Sequence, residues 1–339
     1  HLSLRRQRQM CIRDRLQARQ ARRVVLDGYA EWKRGEYLIV DGQRIRATSR
    51  TQWRGDATSV ATTSLGNEVH AIGTRLADGS IDGAVIDTRA NPVDQLFEHQ
   101  VGAAADGLEH AWLRSGRAFD RDQDGHVWDM GEIEQAGPRV ERVSRILRRL
   151  IPPYVDQSRL RAYVIHNRDW NAMAMANGSL WIFTGLLDDM SDDELAVIIG
   201  HEGAHYTHEH NRRQSRRAVW TQLSAAAAAL AIDEIDDPKQ RGAVRIAAVL
   251  ALSAFRSGYS RDLEDQADRV GLRYAYEAGF DILVAPQVWA RFEARYGDAD
   301  RIRNFFFADH SRARDRRKHI LTEIALNYES SLASQEESQ

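Results

Sequence analysis

The sequence predicts an α+β protein: a small all-β domain over residues 22–92, then a mainly α-helical domain over 93–328 that includes a small edge β-hairpin. Three observations carry this. From about Arg22 to Arg89, short runs rich in Val, Ile and Thr are separated by Asp-Gly and Gly-containing turns, the signature of strands. From Val140 onward apolar residues recur at i, i+3 and i+4, the signature of helices. At 339 residues and 43% hydrophobic, the chain has length for about two domains and a substantial core.

Composition narrows the chemistry. Net charge is −2, from 47 basic against 49 acidic residues, which gives no reason to expect nucleic acid as partner. Only Lys33, Lys239 and Lys318 are lysines, and the arginine excess reads as a coding bias. The single cysteine, Cys11, excludes an internal disulfide framework and any multi-cysteine zinc site. Chemistry must therefore come from His, Asp, Glu and hydroxyl groups.

Residues 1–21 read as a leader or an artefact and are set apart from the fold. The string Met10-Cys-Ile-Arg-Asp-Arg15 resembles translated sequencing-adapter read-through, and residues 1–15 hold five arginines, one aspartate and the sole cysteine. Without them the chain is acidic and thiol-free.

In the β segment, Tyr37–Val40, Asp41-Gly42 and Arg44–Thr48 form one expected hairpin, because Asp-Gly tolerates the positive φ of a primed turn. Val69–Leu76 and Ile81–Asp87 form a second. The segment resembles the small OB-like barrels attached to bacterial envelope proteins, and its expected role is protein interaction or spacing. It lacks the basic and aromatic stripe that single-strand binding needs. Ala90-Asn91-Pro92 is the expected linker.

Beyond the linker the pattern is mainly helical. Asp120 to Gly125 matches the first half of a calcium loop, but Gly131 stands at the twelfth position and Glu132 is one place late, so an Asp-rich turn is the expectation. Val140, Val143, Ile146, Leu147 and Leu150 form an apolar stripe, with Arg142, Arg145, Arg148 and Arg149 on an expected solvated face; Pro152-Pro153 ends the helix. Leu223–Ile232 and Ile246–Phe255 are the longest apolar runs, too short for the roughly 18–20 residues that span a bilayer. No transmembrane segment is expected. Residues 329–339 read as a polar tail.

The informative stretch runs from Ser191 to His205. Ser191 and Glu194 form an S-x-x-E capping box that starts a helix before an apolar run. On that helix His201 and His205 lie one turn apart on one face, so both imidazoles can bind one tetrahedral zinc while Glu202 reaches its water. A third ligand must come from elsewhere. Glu264 is the best candidate, with Asp268 one turn on, where it can accept a ring N–H from a ligand histidine. His208 shares the histidine face and reads as an outer neighbour.

Together His201-Glu-Gly-Ala-His205 and Arg261-Asp-Leu-Glu-Asp-Gln-Ala-Asp268 resemble the M48 zinc metallopeptidases, gluzincins whose soluble branch includes BepA-like bacterial and Oma-like mitochondrial enzymes. The resemblance covers about residues 95–327. It extends through Asn171-Ala-Met-Ala-Met-Ala-Asn177-Gly178, Thr184-Gly-Leu-Leu187 and Asp193-Glu-Leu-Ala196. His210 matches a histidine that often follows the motif helix. His310 to Arg316 occupies the place of the family's H-P-x-x-x-x-R segment, with Ser311 where the proline stands.

The resemblance implies a zincin-type domain with one Zn²⁺ per chain held by His201, His205 and Glu264, and Glu202 as catalytic base. His310 is implied either to stabilise the oxyanion or to fill the open metal position as a resting latch, with Arg316 or Arg317 holding its loop. Asp268, His210 and Arg316 are expected behind the ligands. Asn171, Met173, Ala174 and Met175 are expected on an edge strand that pairs with an extended polypeptide substrate. The implied function is endoproteolysis of unfolded or misfolded proteins, as in quality control. A chaperone-like binder with a latched or structural zinc site is the alternative, and a binding module centred on the β domain is a third reading. The implied location is periplasmic or otherwise extracytoplasmic, with the signal peptide missing and envelope proteins as possible partners; cytoplasmic is the alternative.

Overall fold

The computed structural model describes residues 23–90, 92–121, 127–153, 155–211, 213, 260–296 and 313–328. The leader, the 329–339 tail, the loop aspartates Asp122 and Asp124, the apolar runs 223–232 and 246–255, and His310 lie outside the described residues. The chain divides into two compact units between Asn91 and Pro92.

The first unit is all β: β1 (Arg23–Arg34), β2 (Tyr37–Val40), β3 (Gln43–Arg46), β4 (Gln52–Gly55), β5 (Glu68–Arg75) and β6 (Ile81–Arg89). Pairing runs β3-β2-β1-β5-β6, and β3 also pairs with β6 in parallel, so five strands close on themselves while β4 adds to β6. Closure follows from β1, whose length lets it pair with β2 at one end and β5 along the other. The β2–β3 turn has φ 43° at Asp41 and φ 74° at Gly42, the primed geometry that suits the twist of the strands. Buried Glu31 accepts the Gly42 N–H at 2.8 Å. Leu38, Val40, Ile45, Val69, Ile81 and Ile86 fill the interior.

Among the described residues, the second unit combines seven helices with a five-stranded sheet. Its elements are α1 (Pro92–Ser115), β7 (Arg117–Arg121), β8 (Val127–Glu134), α2 (Pro138–Leu150), β9 (Arg161–Ile165), β10 (Ala172–Ala174), β11 (Ser179–Phe183), α3 (Thr184–Asp189), α4 (Asp192–Thr207), α5 (Arg261–Glu277), α6 (Ala285–Tyr296) and α7 (Ala313–Asn327). Strand order is β10-β11-β9-β8-β7, with β9–β11 parallel and the other pairs antiparallel. The sequence reading missed β7, β8 and β9, because their apolar and charged residues do not alternate between buried and exposed positions; β8 even opens on exposed Val127 and Trp128. Pro92, read as linker, instead opens α1, where a missing N–H costs nothing.

Strand β11, paired on both sides, is buried along its whole length, as a strand covered on both faces must be. Leu180 and Ile182 join the helical core, while Trp181 and Phe183 pack with Trp112, Met173 and Met175 on the other face. The stripe of α2 is buried. Its Arg142 corrects the solvated-face expectation: the guanidinium bonds Asp192 at 2.7 Å and the carbonyls of Leu187 and Met190 at 2.7 and 2.8 Å. It thus caps the end of α3 and ties it to the start of α4, as cations near helix C-termini do. Asp120 lies in β7 and Gly131 in β8, so the twelfth position of the considered calcium loop is inside a strand.

Helices α4 and α5 carry His201, His205 and Glu264 and touch backbone to backbone. A Cβ on Gly200 would stand 2.7 Å from the Gly271 carbonyl oxygen, and one on Gly271 would stand 2.5 Å from the His201 nitrogen. Gly271→Ala must therefore push the helices apart; overpacking of this kind costs about 1–3 kcal/mol. Chemical denaturation of the variant is expected to show that loss, together with weaker metal retention because His201 moves.

Candidate metal centre

Helix α4 begins as its sequence dictates. Ser191 Oγ accepts the Glu194 N–H at 3.2 Å and Glu194 returns a bond to the Ser191 N–H at 3.0 Å, completing the capping box. Twelve of its residues are buried, so the histidines project into the interior rather than into solvent.

There His201, His205 and Glu264 bring three donor atoms together. His201 Nε2 lies 3.0 Å from His205 Nε2, and the Glu264 carboxylate lies 3.6 Å from the first and 3.5 Å from the second. All three are buried, and together they could hold a metal ion. Burial pushes the Glu264 carboxyl well above the usual carboxylate range, with the Arg316 charge opposing and Asp268 adding to the rise. A buried carboxyl against two imidazoles carries a cost that a cation would offset.

Asp268, one turn along α5, faces His201 Nδ1 at 3.0 Å. Arg316 Nη2 lies 2.7 Å from the same nitrogen, so a carboxylate and a guanidinium together stand behind this imidazole. Arg316 from α7 bonds both Asp268 oxygens, at 3.0 and 2.5 Å, and its guanidinium lies 3.5 Å over the Trp289 ring of α6. It also stands 3.6 Å from Glu264. Of the two arginines considered for the His310 loop, Arg316 is thus buried in the centre and Arg317 is exposed. Trp289 was not singled out from sequence; an apolar residue on an amphipathic helix gives no signal of its neighbours.

His210 approaches His205 from behind, Nδ1 to Nδ1 at 2.9 Å. Burial, followed by the Arg213 charge, pushes the His210 imidazole well below its ordinary pKa and so holds it neutral. His208 caps α4 and contacts Thr207 Oγ1 at 2.9 Å; it is outside the donor cluster.

Glu202 is buried beside the donors, and its Oε2 accepts the Ala174 N–H of β10 at 3.1 Å. In the β10–β11 ladder, Phe183 N–H donates to Asn171 O and Met175 N–H to Ser179 O. Asn171, Met173 and Met175 therefore bond inward, while Ala172 and Ala174 turn their backbone groups away from β11, where Ala174 meets Glu202 and, at 3.5 Å, Asn211 Nδ2. The Met173 and Met175 side chains belong to the core. Ala172, which sequence reading did not select, presents the outward backbone instead. The Asn171 amide is buried, and among the described residues neither of its polar atoms has a hydrogen-bond partner. The hairpin is held from α1: buried Glu109 bonds Asn177, Arg161 and Tyr163.

Comparison with known proteins agrees with this geometry. A family model described as Peptidase family M48 matches residues 138–324. The chain is 27% identical over 206 residues to a bovine mitochondrial metalloendopeptidase OMA1, covering 55% of this chain and 37% of the relative. It is 26% identical over 231 residues to mitochondrial metalloendopeptidase OMA1 of Schizosaccharomyces pombe, covering 61% and 66% respectively. With metalloprotease LoiP of Escherichia coli the identity is 28% over 154 residues, covering 45% and 58%. The chain thus spans between about a third and two thirds of these relatives' own lengths.

Proposed function

The chain belongs to peptidase family M48, a metallopeptidase family, and from that premise we propose that it is a zinc-dependent endopeptidase acting on unfolded or misfolded polypeptides. The single observation that carries this is the meeting of His201, His205 and Glu264 within reach of one ion, beside a glutamate bonded to the outermost strand of the sheet. The donor set of two imidazoles and one carboxylate is a catalytic zinc set, with a further position left for water. Zinc bonds of about 2.0–2.1 Å at tetrahedral angles separate ligand atoms by roughly 3.3 Å, close to the observed spacings.

When bound, the zinc would polarise the scissile carbonyl and lower the pKa of its water. Glu202 would take the proton from that water and deliver it to the leaving amine. An extended substrate would add to the β10 edge through the outward backbone groups of Ala172, with those of Ala174 released from Glu202 and Asn211, a mode that reads backbone rather than sequence and suits unfolded chains. The buried amide of Asn171 adjoins that edge and would gain partners there. His310, as oxyanion donor or latch, remains part of the proposal.

The M48-like region is proposed to have the zincin fold, and residues 22–92 to be an OB-like module for protein interaction, a reading supported by the closed five-strand ring. Among the described residues no helix is long and apolar enough to cross a membrane. An extracytoplasmic location with envelope proteins as partners is proposed with the function.

The test is metal analysis together with casein cleavage. One zinc per chain and cleavage abolished by a chelator and restored by zinc are expected; cleavage indifferent to chelation would sink the reading. Acid should weaken zinc retention. Glu264 in the metal-free protein has a raised pKa, so binding must expel its proton, and affinity falls as pH drops through that raised value. Chelator competition should show affinity rising with pH, since Glu264 and both imidazoles must be unprotonated to bind, and a flat profile would count against the whole donor set.

A further inference from the structure

Asp268 and Arg316 stand behind His201, and an imidazole stands behind His205. His205 Nδ1 meets His210 Nδ1 at 2.9 Å, and two imidazole nitrogens can share only one proton. The direction of that bond is set two residues further on. His210 Nε2 lies 3.0 Å from Gln266 Oε1, and Arg213 donates to the same oxygen at 2.6 Å. All four side chains are buried.

Arginine has donors only, so the Gln266 amide must turn its carbonyl oxygen, not its NH₂, toward Arg213. That oxygen also faces His210 Nε2, which must then be the N–H. A neutral imidazole has one N–H, so His210 Nδ1 carries a lone pair and accepts from His205 Nδ1–H. His205 Nε2 is left as a lone pair, directed at His201 Nε2 and Glu264. We propose that Arg213, Gln266 and His210 are positioning residues, a polarised relay that locks His205 in the tautomer able to bind the metal. The proposal rests on the metal reading of the previous subsection. It assigns to Gln266 and Arg213 a role by which the second ligand is oriented without placing another negative charge beside the site.

The direct test needs no substitution. In the ¹⁵N-histidine-labelled, zinc-free full chain, long-range proton–nitrogen correlation is expected to show His205 protonated at Nδ1 and His210 at Nε2. His205 protonated at Nε2 overturns the relay. Zinc affinity, measured with a chromophoric chelator, supplies the second readout. Gln266→Leu and His210→Phe should each weaken binding about 10–100-fold, the range for partners of ligand histidines. The double variant should be no weaker than His210→Phe alone, since both break one chain of bonds. Gln266→Glu keeps the acceptor and should retain affinity close to wild type, which a purely structural role for the glutamine amide would not. Undiminished affinity in Gln266→Leu, or additive losses in the double variant, overturns the relay while leaving the metal reading intact. A wild-type chain that binds no zinc overturns both.

Discussion

Glu202→Gln should lower peptide hydrolysis by about 10²–10⁴-fold, the share of rate that a positioned general base contributes, while zinc content stays at the wild-type level. The glutamine keeps the size of the side chain and its carbonyl oxygen can still accept the Ala174 N–H, so the edge strand and helix α4 should hold their places. What is lost is the carboxylate that takes the water's proton. Because Glu202 is buried next to the donors rather than among them, metal retention separates base from ligand. Cleavage at the wild-type rate would remove Glu202 from the mechanism. The same variant tests the alternative of a chaperone-like binder: suppression of client aggregation by the inactive protein would show that the edge strand holds unfolded chains independently of their hydrolysis.

Glu264→Ala should empty the site. It removes the only carboxylate among the three donors, and two histidines on one helix turn do not by themselves make a three-ligand catalytic zinc centre. Zinc in the dialysed variant should fall to near zero and hydrolysis with it. The packing of α4 on α5 does not depend on this side chain, so circular dichroism should show retained helix. Asp268 and Arg316 keep their paired bonds, which leaves the guanidinium a buried partner. Full zinc occupancy in Glu264→Ala would move the third ligand elsewhere.

The ligand pair was legible because its spacing is local. A helix repeats every 3.6 residues, so His201 and His205 had to share a face, and Ser191 with Glu194 marked where the helix starts. The hairpin turns at Asp41-Gly42 and Asn177-Gly178 were equally readable, since positive φ is a property of single residues. Arg142 was not: an arginine between apolar positions looks solvated until the chain end it caps is folded against it. The five-stranded sheet was partly hidden for a similar reason, since β8 and β9 carry no regular alternation of apolar and polar residues.

By itself, then, the sequence determined the two-part order of the chain, the helix that presents His201, Glu202 and His205, and the Glu264–Asp268 pair, all through periodicities that act over one or two turns. Tertiary structure alone decided that Gly200 and Gly271 let two distant helices meet, that Ala174 rather than a methionine side chain addresses Glu202, and that Gln266 and Arg213 stand behind His210 and His205. Those contacts join residues tens of positions apart, and their selection rests on backbone approach and on the direction of hydrogen bonds. Neither is expressed in the spacing of residues along a chain.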